Sequence, residues 1–144
     1  MGYRSQVAYV IAFEDKTTLN EFISLVMLKG GLEAQALREC QMDVSEGAFS
    51  CYRINFWADD VKWYDSYPEV EAHTWLYHYA VERFADKCAY RFLRVGEEQA
   101  DIEDDHSDPS DKFDLYQDFY TRTTIEAPFA FGYEPVGDAL RVIE

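Results

Sequence analysis

The chain has 144 residues, 48% hydrophobic and 17% aromatic, with a net charge of −15. This length and composition predict one domain that buries its own core, which excludes a disordered chain and removes the need for a structural metal or disulfide. With 28 acids against 13 Lys and Arg, nucleic acid and anionic membranes are poor direct partners, and a basic protein surface is the better electrostatic match. Cys40, Cys51 and Cys88 are odd in number and form no C-x-x-C, which fits a reducing compartment. No leader-like segment opens the chain and no apolar run approaches ~18 residues, so the expected location is the cytoplasm.

Residues 6–13, "QVAYVIAF", have the length and composition of a buried strand. Leu19, Phe22, Ile23, Val26 and Met27 then follow the spacing of one helical face. Thr18 and Glu21 form a capping-box pattern, and Gly30-Gly31 supplies the stop after Lys29. Residues 32–45 read two ways. "LEAQALREC" suits a helix, but Cys40, Met42 and Val44 alternate, which favours a strand near 36–44. The next strand is clearer: Tyr52, Ile54 and Phe56 share one face, and Cys51, Arg53, Asn55 and Trp57 the other.

Ser66 is the expected cap of a second helix, with Pro68 early in its first turn and an end near residue 86. Val70, Thr74, Tyr77, Val81 and Phe84 line one face of it, and Trp75, Tyr79 and Arg83 another. "AYRFLRV" (89–95) is a strand. Residues 97–114 read as an acidic hairpin loop, 115–126 as a further strand, and 127–144 as a C-terminal extension with "ALRVIE" as a short last strand. The order predicts a single α+β domain over 1–144. It is a ferredoxin-like (split βαβ) antiparallel sheet with two helices on one face and an extra C-terminal strand.

Three stretches, "MGYRSQV", "VKWYDSYPEV" and "FLRVGEEQADIED", resemble small proteins of bacteriophage and prophage genomes. Such proteins open with Gly-Tyr-Arg-Ser, carry Lys-Trp-Tyr before a second helix, and have Arg-Val-Gly-Glu before an acidic loop. The resemblance covers roughly residues 1–126. It implies a phage or prophage origin and the cytoplasm of an infected host, and it carries no assigned chemistry.

Ten acids and one lysine lie between Glu97 and Asp118, which concentrates the charge in one segment. Asp101-x-Glu103-x-Asp105 begins like a calcium loop, but His106 and Lys112 occupy the positions that need Gly and Glu. His73 and His78 are five apart and point to different sides of a helix, which excludes HExxH geometry. His78, Glu82 and Asp86 share a helical face that could hold a divalent ion, but an ordinary exposed polar stripe explains them better. Cys51 and Cys88 lie on or near strands, where a cysteine usually serves as a small hydrophobe. No P-loop, G-x-S-x-G or G-x-G-x-x-G is present.

The aromatics around residues 57–79 divide into two groups. Trp63 and Tyr64 suit a plug where a loop folds onto the sheet, and Trp75 and Tyr79 suit a surface contact. No metal or other cofactor is implied. The expectation is a non-enzymatic accessory protein that binds a host protein with a basic surface, such as a nucleic-acid-binding or defence protein. Its contact residues would be Asp101, Glu103, Asp104, Asp105, Asp108 and Asp111, with Trp75 and Tyr79. The alternatives are a metal-dependent phosphoryl or nucleotide enzyme, and a structural self-assembling protein that forms a homodimer.

Overall fold

A computed structural model describes residues 2–46, 50–98, 100–107 and 113 in full, and the backbone alone of 120–121, 125–126 and 134–135. Five antiparallel strands form the sheet: β1 (Ser5–Phe13), β2 (Gln41–Ser45), β3 (Cys51–Val61), β4 (Cys88–Gly96) and β5 (Ile102–Ser107). Their order across the sheet is β5-β4-β1-β3-β2, and a two-residue strand, β8 (Glu134–Pro135), adds to the outer edge of β2. Two further short strands, β6 (Tyr120–Thr121) and β7 (Ile125–Glu126), pair with each other. Three α-helices, α1 (Lys16–Lys29), α2 (Gly31–Arg38) and α3 (Pro68–Phe84), and a 3-10 turn at Ala85–Lys87 complete the described fold. No described helix is long and apolar enough to cross a membrane.

β1 is central and covered on both faces, which is why its apolar residues run on without a polar alternation. Val7, Tyr9, Ile11 and Phe13 point to the helices and join Leu19, Phe22, Ile23, Val26, Leu37, Leu76 and Tyr77 in the main core. Ala8, Val10 and Ala12 point the other way and form a smaller cluster with Ala89, Leu93 and Val95, against which Trp57 and Phe113 pack. The alternation expected for β3 is present: Ile54 and Phe56 enter the helix-side core, and Trp57 packs on the far side.

Several boundaries differ from expectation. α1 buries the expected face at Leu19, Phe22, Ile23 and Val26, but its cap is Asp15. The Asp15 carboxylate accepts from the Thr18 N–H at 2.8 Å and from the Thr18 hydroxyl at 2.8 Å. An acid one turn earlier therefore takes the role expected of the Thr18–Glu21 box. The helix stops at Gly30, whose φ of 70° and ψ of −156° suit only glycine, and Gly31 follows at φ 66°. That corner lets α2 begin at once. The strand expected near 36–44 is thus corrected: residues 31–38 are helical, and β2 starts only at Gln41, so it holds Met42 and Val44 but not Cys40.

Tyr67, which makes no side-chain capping hydrogen bond, stands at the N-cap of α3 where Ser66 was expected, and Pro68 is the first helical residue. The acidic segment is the largest correction: residues 102–107 form an ordered edge strand on β4. The single strand expected over 115–126 is not found: its described residues form two two-residue strands, β6 and β7, paired with each other outside the main sheet, and the rest of that stretch lies outside the described residues. The last strand expected at "ALRVIE" lies outside the described residues, as does most of the 127–144 extension.

Hydrogen bonds to Thr18, first from its N–H and then from its hydroxyl, hold the Asp15 carboxyl below the usual carboxylate range. A depressed acid contributes stability above its unfolded pKa and loses it as pH falls through the folded value. Asp15→Ala should therefore cost about 1 kcal/mol near neutral pH. The gap between the two proteins should close only below about pH 4, measured by urea unfolding across pH.

Candidate interaction surface

β5 carries Ile102, Glu103, Asp104, Asp105, His106 and Ser107, a strand with one apolar residue. Like charges along an outer strand need compensation, and β4 provides it. The register sets Arg94 opposite Glu103, Leu93 opposite Asp104 and Phe92 opposite Asp105. Arg94 bonds Glu103 through Nε at 2.8 Å and Asp101 through Nη2 at 2.9 Å. On the other face, Arg91 grips both oxygens of Asp104, Nε at 3.2 Å and Nη2 at 3.1 Å. The Tyr90 hydroxyl donates to Asp105 Oδ2 at 2.8 Å, and His78 Nε2 lies 4.0 Å from the same atom.

These arginines are nearly covered while their acids are not. The Arg91 and Arg94 side chains are 6% and 14% exposed, against 37% for Asp104 and 60% for Glu103. The carboxylates are thus fixed from below and open above. Arg94, and then the Tyr3 hydroxyl, hold the Asp101 carboxyl below the ordinary range. Burial, and then the bond to Asp105, raise the Tyr90 phenol, so it stays a donor. Arg94, Arg91 and Tyr90 thus hold the four carboxylates in fixed positions.

Asp101, Glu103, Asp104 and Asp105 are therefore brought together, but Asp101 precedes the edge strand and the other three lie on its two faces. Asp108 and Asp111 lie outside the described residues. Trp75 and Tyr79 stand elsewhere. Their rings stack at 4.4 Å and 10°, with the Lys29 ammonium 5.0 Å over Trp75 and Phe22 6.3 Å from Tyr79. They face α1, whereas His78 faces β5, so α3 separates the aromatic pair from the acids. Trp63 is the expected plug, packed on Phe56, His73 and Phe92. Sequence reading missed Leu28 and Leu32, 84% and 41% exposed on either side of the glycine corner.

One corner gathers residues from three separate stretches of the chain, 1–7, 61–70 and 92–104. The Tyr3 N–H donates to the Tyr64 hydroxyl at 2.6 Å, and the Tyr3 hydroxyl donates to Asp101 Oδ2 at 2.6 Å. The Glu98 N–H donates to the Tyr3 hydroxyl at 2.9 Å, and the Arg4 N–H to Glu97 Oε1 at 3.0 Å. A Cβ at Gly96 would collide with the side-chain ends of Asp101 and Tyr3, so a larger residue there would push both aside. An open cleft of about 320 Å³ lies beside it, lined by Arg4, Ser5, Gln6, Asp59, Asp60 and Glu97 among others.

A second polar group is sealed inside. The Tyr9 hydroxyl lies 2.6 Å from His73 Nδ1 and 3.3 Å from Cys40 Sγ, and His73 Nε2 lies 3.0 Å from Glu39 Oε2. Hydroxyl, imidazole and carboxylate form a relay, but Tyr9, His73 and Cys40 are buried and only Glu39 reaches solvent. Burial pushes the Cys40 and Cys88 thiols up to about 12, which removes the thiolate a nucleophile needs. His78, Glu82 and Asp86 are not drawn together: among the described residues no three His, Cys, Asp or Glu side chains are placed to share a metal ion. No protein-family model, curated protein or solved structure matches the chain.

Proposed function

We propose that this is a non-enzymatic binding protein whose β5 edge docks on a basic surface of a partner protein. The observation that carries the reading is the row Glu103, Asp104 and Asp105, ordered on an outermost strand and braced by Arg94, Arg91 and Tyr90. Braced carboxylates lose little side-chain freedom on binding, so more of their attraction to Lys and Arg is realised as affinity. A second copy of the chain is a poor occupant. Antiparallel pairing of β5 with itself would set Asp104 against Asp105, and like charges directly opposite are destabilising.

The order β4-β1-β3-β2 within the sheet, with α1 leading from β1 toward β2 and α3 from β3 to β4, supports a ferredoxin-like reading of the fold. α2 is an addition to that plan, and β5 extends it. The partner we favour is a host nucleic-acid-binding or defence protein, met in the cytoplasm of an infected cell. The acid row and the phage resemblance of three convergent stretches support it. Acids on an edge strand also block unwanted strand pairing, and this competing role predicts a different result.

The test is retention of proteins from bacterial lysate at low and high salt. The bait is the wild type or a variant carrying Glu103→Gln, Asp108→Asn and Asp111→Asn, which spares the Arg91 and Arg94 anchors to Asp104 and Asp101. One basic protein held at low salt, lost at high salt and reduced at least about tenfold by the variant is expected. Equal retention by both baits, with the variant instead forming oligomers, would leave edge protection as the role of the acids. Self-association is the second reading, favoured by the exposure of Leu28 and Leu32. It predicts a stable oligomer that Leu28→Asp dissociates, read by sedimentation.

A further inference from the structure

Gln41, Asn55 and Trp57 lie side by side on the sheet face away from the helices. Gln41 and Asn55 are register partners across β2 and β3. Trp57, two residues along β3, shares their face and packs on the alanine-lined cluster of β1 and β4. Asn55 is 1% exposed. Gln41 Oε1, both Asn55 amide atoms and Trp57 Nε1 are buried without a hydrogen-bond partner among the described residues. All four such atoms fall on these three neighbouring residues, and each left unpaired costs its lost hydration.

The chemistry of the set selects its ligand. Asn55 Nδ2 and Trp57 Nε1 are donors, and Gln41 Oε1 and Asn55 Oδ1 are acceptors. A cation can use only the oxygens and an anion only the N–H groups. A neutral molecule that both donates and accepts can use all four, and water is the one small enough to lie within a packed layer. We propose that Gln41, Asn55 and Trp57 form an internal hydration site that ties β2 to β3. One or two ordered waters accept from the Trp57 indole and the Asn55 amide and donate to the two carbonyl oxygens. Neighbouring side chains in such a register stand about 5 Å apart, a span one water bridges.

Two readouts on the full chain test it. Long-lived water should give NMR cross-peaks to the Trp57 indole N–H and the Asn55 side-chain amide. Asn55→Leu should lower the folded-to-unfolded ratio about tenfold, because the water loses two of its bonds and Gln41 and Trp57 are stranded. If the four atoms are merely unpaired, the same substitution removes two of them and raises that ratio. Absent cross-peaks at both protons, or a raised ratio without them, would overturn the proposal. Should the leucine variant not fold, or the two readouts differ, the cross-peaks in the wild type decide.

Discussion

Replacing Phe22 by alanine is expected to destabilise the protein by about 3–5 kcal/mol. The ring is 0% exposed and joins three elements. It lies 5.3 Å from Phe13 on β1, and 6.4 Å from Phe84 and 6.3 Å from Tyr79 on α3. Alanine would lose the transfer energy of the ring and leave a cavity that rigid aromatic neighbours cannot close. Leu28→Ala, only two turns further along α1, removes a side chain that is 84% exposed, so it should change stability by under about 0.5 kcal/mol. Urea unfolding of the two variants checks the contrast.

Tyr9→Phe is expected to cost about 2 kcal/mol, although it deletes one oxygen from a fully buried ring. Burial holds the phenol well above its usual value, so it remains an O–H donor. That proton goes to His73 Nδ1 at 2.6 Å, which places the imidazole proton on Nε2, where it meets Glu39 at 3.0 Å. The Cys40 thiol, pushed up to about 12 by burial, keeps its own proton, which the Ala36 carbonyl at 3.5 Å or the phenol oxygen at 3.3 Å can accept. Removing the hydroxyl strands the Nδ1 lone pair in the core. A double-mutant cycle with His73→Leu should therefore show a coupling of about 1 kcal/mol or more between the two sites. Strict additivity would show that the short contact contributes nothing.

Local patterns in the sequence located the central elements. The 3-4 spacing of Leu19, Phe22, Ile23 and Val26 gave α1, and the alternation of Ile54 and Phe56 against Trp57 gave β3, because each is one face set against one core. β5 was hidden for the opposite reason. Its residues bury almost nothing, and what orders them is Arg91 and Arg94, partners fixed by register across a turn. α2 was obscured because a short helix abuts a strand with only Glu39 and Cys40 between, and the strand's alternation masked the helical residues before it. His73 and His78 fell on different sides of α3 as their spacing requires. That His73 meets Tyr9 and Glu39 depends on elements 64 and 34 residues away, and no local pattern records that.

The most direct measurement is an NMR titration of the full chain with a short extended peptide of alternating lysine and valine. Docking at the braced acid edge predicts shifts confined to residues 102–107 and the Arg91 and Arg94 side chains, abolished by high salt and by Glu103→Gln. Shifts centred on Leu28, Leu32 and Trp75, or spread evenly over the acidic surface, would contradict it.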